Sequence, residues 1–346
     1  MKRARTVVGL VGFAAIGGSI AWGLLGEASA ARDLETLLDV QRAEDELSFA
    51  GRRTITTDGP DGAVTTVLDV AGRAGLRRVK FVEARLPGGE VRRDLKPFGF
   101  VDRLGSVATG HTGFMARFAE PALILENYRL VRLGREGVAG CPSDRYALAP
   151  RHAGRASYRL WVDARTRMLM RFQVIGLDGR CPFDMSHESI AYDPDWTQVA
   201  PPTAASTPPA RLDAPLKLPW QKVTVDDLRG VEFAAWLPAR PPAGFKLRSL
   251  EYISLKRIGQ AVQAWYSDGI ASVMLFEFPA NLKIWQQWRS VLFPAFGKPE
   301  ENVARRMSHA GGTFINITLG GTEVFIAGQL LPDEMERVVK SLSKSN

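Results

Sequence analysis

A proline-dense run past the middle of the chain most constrains how this sequence can fold. Between Gln198 and Pro219 the residues are mainly small or polar, and the prolines are Pro201, Pro202, Pro208, Pro209, Pro215 and Pro219. Such a stretch has too few large apolar side chains to build a core. The chain of 346 residues is long enough for two cores. We therefore predict a linker over residues 198–221 that joins a first domain, residues 31–197, to a second domain, residues 222–346.

The residues before the linker predict one helix and then an antiparallel meander. Leucines between Asp33 and Leu47 fall at roughly helical spacing among charged residues, which predicts an amphipathic helix. After it, short segments rich in Val, Thr and Phe alternate with glycine-containing turns, which is typical of strands. The predicted strands are residues 48–57, 63–70, 76–85, 90–95, 158–163, 168–177 and 181–192. The predicted fold class is α+β, with a large antiparallel sheet.

The residues after the linker predict a smaller α+β domain. A Pro-Pro-Ala-Gly-Phe turn at residues 241–245 precedes strands at 246–254, 261–267 and 271–278, and a hairpin joins 313–319 to 323–330. A helix is predicted over 281–292, where apolar residues repeat at three-residue spacing. A last helix is predicted from Pro332, because proline is favoured in the first helical turn.

The amino terminus has the pattern of a secretory signal. Three basic residues, Lys2, Arg3 and Arg5, precede an uncharged stretch, and Ala28-Ser29-Ala30 forms a small-residue cleavage site. We predict that residues 1–30 are removed and that the mature protein works in the periplasm. The alternative is an uncleaved anchor, because about 20 apolar residues can span a bilayer.

The cysteine content predicts one disulfide. Cys141 and Cys181 are the only cysteines, and an even pair in an oxidising compartment is typically joined. We expect both to lie on neighbouring sheet elements. The alternative is two free, buried thiols.

The sequence shows little sign of catalysis, of a metal or cofactor, or of nucleic-acid binding. The net charge is +8, but Lys and Arg are scattered rather than clustered. The four histidines lie far apart, and the common nucleophile, phosphate-loop, dinucleotide and zinc-protease motifs are missing. Asp163, Asp178 and Asp268 fall in turn contexts, where aspartate caps local backbone groups. We therefore predict a non-enzymatic protein without a cofactor.

Aromatic residues on the predicted strands leave two interpretations open. Trp161 and Phe172 in the first domain, and Trp265 and Phe276 in the second, could line an apolar cavity or fill the core. Aromatic residues on strands belong to the core more often.

Two stretches resemble a known family. Residues 158–179, YRLWVDARTRMLMRFQVIGLDG, resemble the central hairpin of the RseB/MucB family of periplasmic sigma-E regulatory proteins. Downstream, Trp265, Tyr266, Ser267, Asp268 and Gly269 resemble the family's second-domain strand, preceded by Leu237-Pro238 and the turn at 241–245.

This resemblance implies both a fold and a function. The first domain would be a half-open barrel similar to those of lipoprotein carriers, and the smaller second domain would carry a candidate partner strand at residues 265–269. The protein would bind the periplasmic domain of a membrane anti-sigma factor and shield it from proteolysis until a lipid or envelope-stress signal releases it. The alternative is a periplasmic lipid or lipoprotein carrier, and a hydrolytic enzyme is a third class. An amphiphile is the expected ligand, and a homo-oligomer is a further possibility.

Overall fold

The computed structural model describes residues 29–59, 62–93, 120–200, 220–255, 259–282, 300–309, 312–328 and 330–345. Three sequence predictions fall mainly outside these residues: the signal peptide, most of the linker and most of the helix at 281–292. The domain bounds therefore stay a prediction. Among the described residues, none of the helices combines the length and the apolar content needed to cross a bilayer.

The first part of the chain forms one large antiparallel sheet. Residues 29–46 are helical (α1), and the amphipathic helix predicted within them is confirmed. The strands are β1 Phe49–Gly59, β2 Gly62–Arg73, β3 Leu76–Arg85, β4 Val91–Arg92, β5 Tyr128–Val138, β6 Cys141–Pro150, β7 Ser157–Asp163, β8 Leu169–Ile175 and β9 Phe183–Tyr192. A short helix, α2 Pro121–Asn127, leads into β5.

This large sheet is open. Its strand order is β4-β3-β2-β1-β9-β8-β7-β6-β5, so β4 and β5 lie at its edges in the described part of the chain. Neighbouring strands pair antiparallel throughout, and β9 returns beside β1. The predicted α+β class with a large, open antiparallel sheet is confirmed.

One face of the large sheet carries the main core of this part. Phe172 is fully buried in a row of rings with Tyr158 at 5.6 Å and Phe183 at 6.3 Å between centroids. Leu37 and Val40 of α1 pack on the same cluster. The helical spacing of the apolar residues in α1 therefore serves to cover the sheet.

The second part of the chain forms a smaller sheet and a two-stranded ribbon. The elements are β10 Gln221–Lys222, a 3-10 helix Asp226–Gly230, β11 Trp236–Pro238, β12 Lys246–Leu255, β13 Gly259–Ser267, β14 Ser272–Pro279, β15 Arg305–His309, β16 Gly312–Leu319, β17 Thr322–Gly328, α3 Pro332–Lys340 and β18 Leu342–Lys344. The second sheet has the order β10-β12-β13-β14-β17-β16-β15, and β11 pairs with β18. Its core lies between the sheet, the 3-10 helix and α3, and includes Leu228, Leu275 and Met335.

The two cysteines contradict the predicted disulfide, because both thiols are free. Cys141 opens β6, whereas Cys181 precedes β9, and two strands separate β6 from β9. Through the registers Phe183–Val174, Val174–Tyr158 and Tyr158–Leu148, the start of β9 is level with Leu148. That residue lies seven positions beyond Cys141, or roughly 23 Å along the strand, whereas a disulfide needs α-carbons within about 7 Å.

Candidate functional site

The two sheets meet at a turn that the second sheet inserts into the first part of the chain. This junction turn, residues 267–271, connects β13 to β14. Its own side chains shape it, because Asp268 Oδ1 accepts hydrogen bonds from the backbone N–H groups of Ile270 at 3.0 Å and Ala271 at 2.7 Å. Ile270 is 3% exposed and belongs to the core of the large sheet. The turn therefore contributes to a core that its own sheet does not build.

The second carboxylate oxygen of Asp268 faces the large sheet. It accepts a hydrogen bond from the Tyr128 hydroxyl and another from an Arg155 guanidinium nitrogen, each at 2.5 Å. Asp268 has no exposed surface, and Arg155 is 6% exposed. Removing Arg155 would leave the buried carboxylate of Asp268 without its cationic partner.

Gly269 allows this close approach. Its φ is +98°, a backbone conformation that residues other than glycine adopt only with strain. A Cβ on Gly269 would stand 2.6 Å from the backbone nitrogen of Ile124 in α2. In the sequence Asp268-Gly269, the first residue therefore anchors the turn, and the second leaves space for the backbone of α2 to pack against it.

Arg155 joins the first part of the chain to α3 and to two other segments of the second part. Its Nε lies 2.7 Å from Glu334 Oε1 in a buried ion pair, although the N–H does not point at that oxygen. Another guanidinium nitrogen donates to the carbonyl of Ala243 at 2.9 Å, and the group stacks over the Phe245 ring at 4.5 Å. Arg155 therefore contacts three separate segments of the second part at once.

Burial and pairing shift the pKa values of this cluster. Burial lowers the pKa of Arg155, but the carboxylates of Asp268 and Glu334 outweigh it and raise the pKa above its ordinary value. Burial raises the pKa of Glu334, and Arg155 opposes that rise. Burial and the neighbouring negative charge also raise the pKa of Tyr128, so its hydroxyl remains a donor. Arg155 is therefore charged at every physiological pH.

An amide at the end of α2 completes the contact. Asn127 is 5% exposed, and its Nδ2 lies within 3.0–3.1 Å of the carbonyl oxygens of Leu123, Gly244 and Asp268. His152 Nε2 lies 3.1 Å from Asn127 Oδ1. At the rim, Lys246 pairs with Glu126 and Arg248 with Glu120 across the same boundary. We call these contacts together the junction.

A basic groove lies beside the junction. Its volume is about 940 Å³, and its wall is formed by the segments 153–155 and 239–243 together with the end of α3 and the start of β18. Arg240, Arg337 and Lys340 are exposed there, and Arg337 donates to the carbonyl of Gly154 at 3.1 Å. A groove of this charge suits an acidic ligand.

The aromatic candidates lie within the protein rather than around one pocket. In the β7–β8 register Leu160 is opposite Phe172 and Trp161 is opposite Arg171, so Trp161 and Phe172 point to opposite faces of the large sheet. Phe172 is fully buried and Trp161 is 3% exposed. The structure favours the core interpretation for both.

The predicted partner strand divides between a sheet and the junction. Trp265 and Tyr266 lie in β13, and Tyr266 is buried in the core of the second sheet, where burial raises its pKa to about 12. Ser267 ends β13, and it belongs with Asp268 and Gly269 to the junction turn. The described residues hold no group of three or more His, Cys, Asp or Glu side chains placed to bind a metal ion.

Residues 106–184, which include α2, Tyr128 and Arg155, match a family model described as the MucB/RseB N-terminal domain. The resemblance to the RseB/MucB family is confirmed. The structure of a MucA/MucB complex from Pseudomonas aeruginosa is similar to this chain with a TM-score of 0.55 and 18% identity, and the match covers 90% of this chain and 99% of that one. MucB in a complex with MucA(peri) is similar with a TM-score of 0.52 and 17% identity, over 90% of this chain and 98% of that one. No curated protein sequence matches the chain.

The MucB likeness extends over both sheets, but sequence reasoning missed most of the junction. Asn127, Tyr128, Arg155 and Glu334 were not predicted as site residues. The predicted turn role of Asp268 is confirmed, but it omits the contacts of this carboxylate with the large sheet. The available signal was the exact succession Ser267-Asp268-Gly269-Ile270, because an apolar residue inside a tight turn needs a second surface to cover it.

Proposed function

We propose that this protein is a non-enzymatic periplasmic regulator that binds the periplasmic part of a membrane anti-sigma factor. The observation that carries the proposal is the fold likeness to MucB in its complexes with MucA, which spans nearly the full length of both chains. In this proposal the bound regulator shields the anti-sigma factor from proteolysis, and a lipid or envelope-stress signal releases it.

The junction supports a role that needs both parts of the chain. A buried ion pair and a shared core hold the two sheets against each other. A partner that touches both sheets then meets a preorganised surface, and its binding costs less entropy. A carrier would need only the large sheet and a cavity, so the interlocked second sheet favours regulation.

The groove supports an acidic contact. Arg240, Arg337 and Lys340 line it, whereas Asp268 and Glu334, the carboxylates that pair with Arg155, are buried. We infer that the partner presents acidic residues to this groove. Mutating such rim charges mainly lowers the association rate and its dependence on salt.

The test is a titration of the mature protein, residues 31–346, with the periplasmic segment of an anti-sigma factor from the same organism. We expect saturable one-to-one binding that weakens when Arg240 and Arg337 are both replaced by Gln. The matched control is R180Q, since Arg180 is an exposed arginine that does not line the groove, with 82% of its side chain accessible. Failure of the unmodified protein to bind any anti-sigma segment of that organism would overturn the proposal.

A second arm tests release. A ligand that binds the free regulator better than the complex must weaken the partner's binding by the same factor. We expect a lipopolysaccharide fragment or lysophospholipid micelles to raise the dissociation constant of the complex. Uptake of lipid with no change in that constant would favour the carrier alternative instead.

A further inference from the structure

The edge strand β5 is unusually open. It is 11 residues long and is the last strand of the large sheet in the described part of the chain, whereas the opposite edge, β4, has two residues. Seven consecutive residues of β5, from Val131 to Gly137, are exposed, including Val131 at 43% and Leu133 at 41%. Long exposed edges of this kind are places where another chain can add a strand.

The backbone of β5 offers donors and acceptors on its open side. The Arg151 N–H donates to the Asn127 carbonyl, so the backbone groups of Asn127 point toward β6. Backbone groups alternate in direction along a strand, so those of Leu130 and Arg132 point away from β6. Beyond the bulge at Leu133, Gly137 is opposite Pro142 of β6. The Pro142 carbonyl points away from β5, because it accepts a hydrogen bond from the N–H of Ala164, which follows β7. The backbone N–H of Gly137 therefore also faces the open edge.

The charge beside this edge selects the occupant. Arg132 lies 2.8 Å from Asp144, Arg135 lies 3.1 Å from it, and Arg167 approaches it at 3.9 Å. One carboxylate thus serves three arginines, and Arg132 and Arg135 keep more than half of their side chains exposed. A second copy paired through β5 would bring these arginines together, which like-charge repulsion disfavours.

We propose that β5 receives an extended, acidic segment of the partner as a tenth strand of the large sheet. This assignment rests on the proposed function for the identity of the partner, and it names the surface and the chemistry that would hold it. Main-chain hydrogen bonds to residues 130–137 supply the affinity, and Arg132 and Arg135 select carboxylates. Because β5 begins at Tyr128, whose hydroxyl contacts Asp268, one end of the added strand reaches the junction.

Gly137 offers a matched pair of variants. Its φ is not in the positive range, and a Cβ placed on it meets nothing within 4 Å. G137A keeps the N–H on the open edge, whereas G137P removes it without touching a bond to β6. Proline is tolerated in edge strands for this reason.

The probe is a capped ten-residue peptide of alternating Thr and Glu, with a Thr-Lys peptide of equal length as its counterpart. We expect the Glu peptide to bind, the Lys peptide to bind at least tenfold more weakly, and G137P to lose at least tenfold in affinity relative to G137A. The doubly substituted R132Q/R135Q protein should lose selectivity for the Glu peptide. Thermal unfolding of each variant checks that it is folded.

Three results would overturn the edge assignment: equal affinity of G137P and G137A, equal binding of the two peptides, or self-association of the protein that G137P abolishes. Failure of the anti-sigma segment to bind the unmodified protein would instead overturn the proposed function. The peptide titration stays interpretable in that case, so the two failures can be told apart.

Discussion

Replacing Asp268 with alanine should destabilise the protein more than any exposed turn substitution. The change removes four hydrogen bonds, two from the junction turn and two from Tyr128 and Arg155. Arg155 then keeps its hydrogen bond to the Ala243 carbonyl and its ion pair with Glu334. Because Arg155 is only 6% exposed, water replaces little of what it loses. Breaking a buried ion pair from one side costs about 3–5 kcal/mol, so we expect a loss of about 4 kcal/mol in the free energy of unfolding.

The matched control is D178A. Asp178 also precedes a glycine and also caps its turn, through the Arg180 backbone N–H at 3.0 Å, but 62% of its side chain is exposed. We expect that substitution to cost about 0.5 kcal/mol. Urea unfolding followed by tryptophan fluorescence measures both. A loss below 1 kcal/mol in D268A, or equal losses in the two variants, would refute the assignment of Asp268 as the buried anchor of the junction.

Three further predictions concern a glycine, a carboxyl group and the thiols. G269A, which adds a Cβ 2.6 Å from the Ile124 nitrogen, should cost at least about 3 kcal/mol in urea unfolding, whereas G179A, with open space around it, should cost about 1 kcal/mol. Burial raises the pKa of Glu277 from 4.5 to about 8, so the folded protein holds this proton more tightly and stability falls as pH rises through that window. E277Q should remove this fall in stability, so that it is the more stable protein at pH 9 but not at pH 6. The difference should be at most a few kcal/mol, since one pKa unit corresponds to about 1.4 kcal/mol. Equal pH profiles of the two proteins would contradict this. Both cysteines should react with a maleimide in the unfolded, unreduced protein, and a requirement for reductant would contradict the free thiols of the structure.

Local patterns predicted the strands of hairpins well, because a tight turn and its flanking strands are adjacent in sequence. The predicted strand at 158–163 is β7, Ser157–Asp163, and the predicted strand at 261–267 lies within β13, Gly259–Ser267. By contrast, β5 was not predicted. Its exposed arginines and glycines lack the alternation of apolar and polar residues that marks a half-buried strand, since β5 lies at an edge.

Long-range contacts were the part that sequence could not supply. Arg155 and Asp268 are 113 positions apart, and no local signal pairs them. The error over Cys141 and Cys181 has the same origin. Their compartment and number predicted a disulfide bond, but the meander places them at opposite ends of its strands, with two strands between β6 and β9. Strand order and register decide such distances, and both depend on the whole fold.

Protection of the partner from a protease tests the central claim most directly. The periplasmic segment of the anti-sigma factor would be digested alone and with the mature regulator at ten times the dissociation constant of the complex. If the bound segment is shielded, mass action predicts that cleavage slows about elevenfold, and that D268A slows it less at equal concentration. A rate of cleavage unchanged by a saturating amount of the unmodified protein would contradict the account.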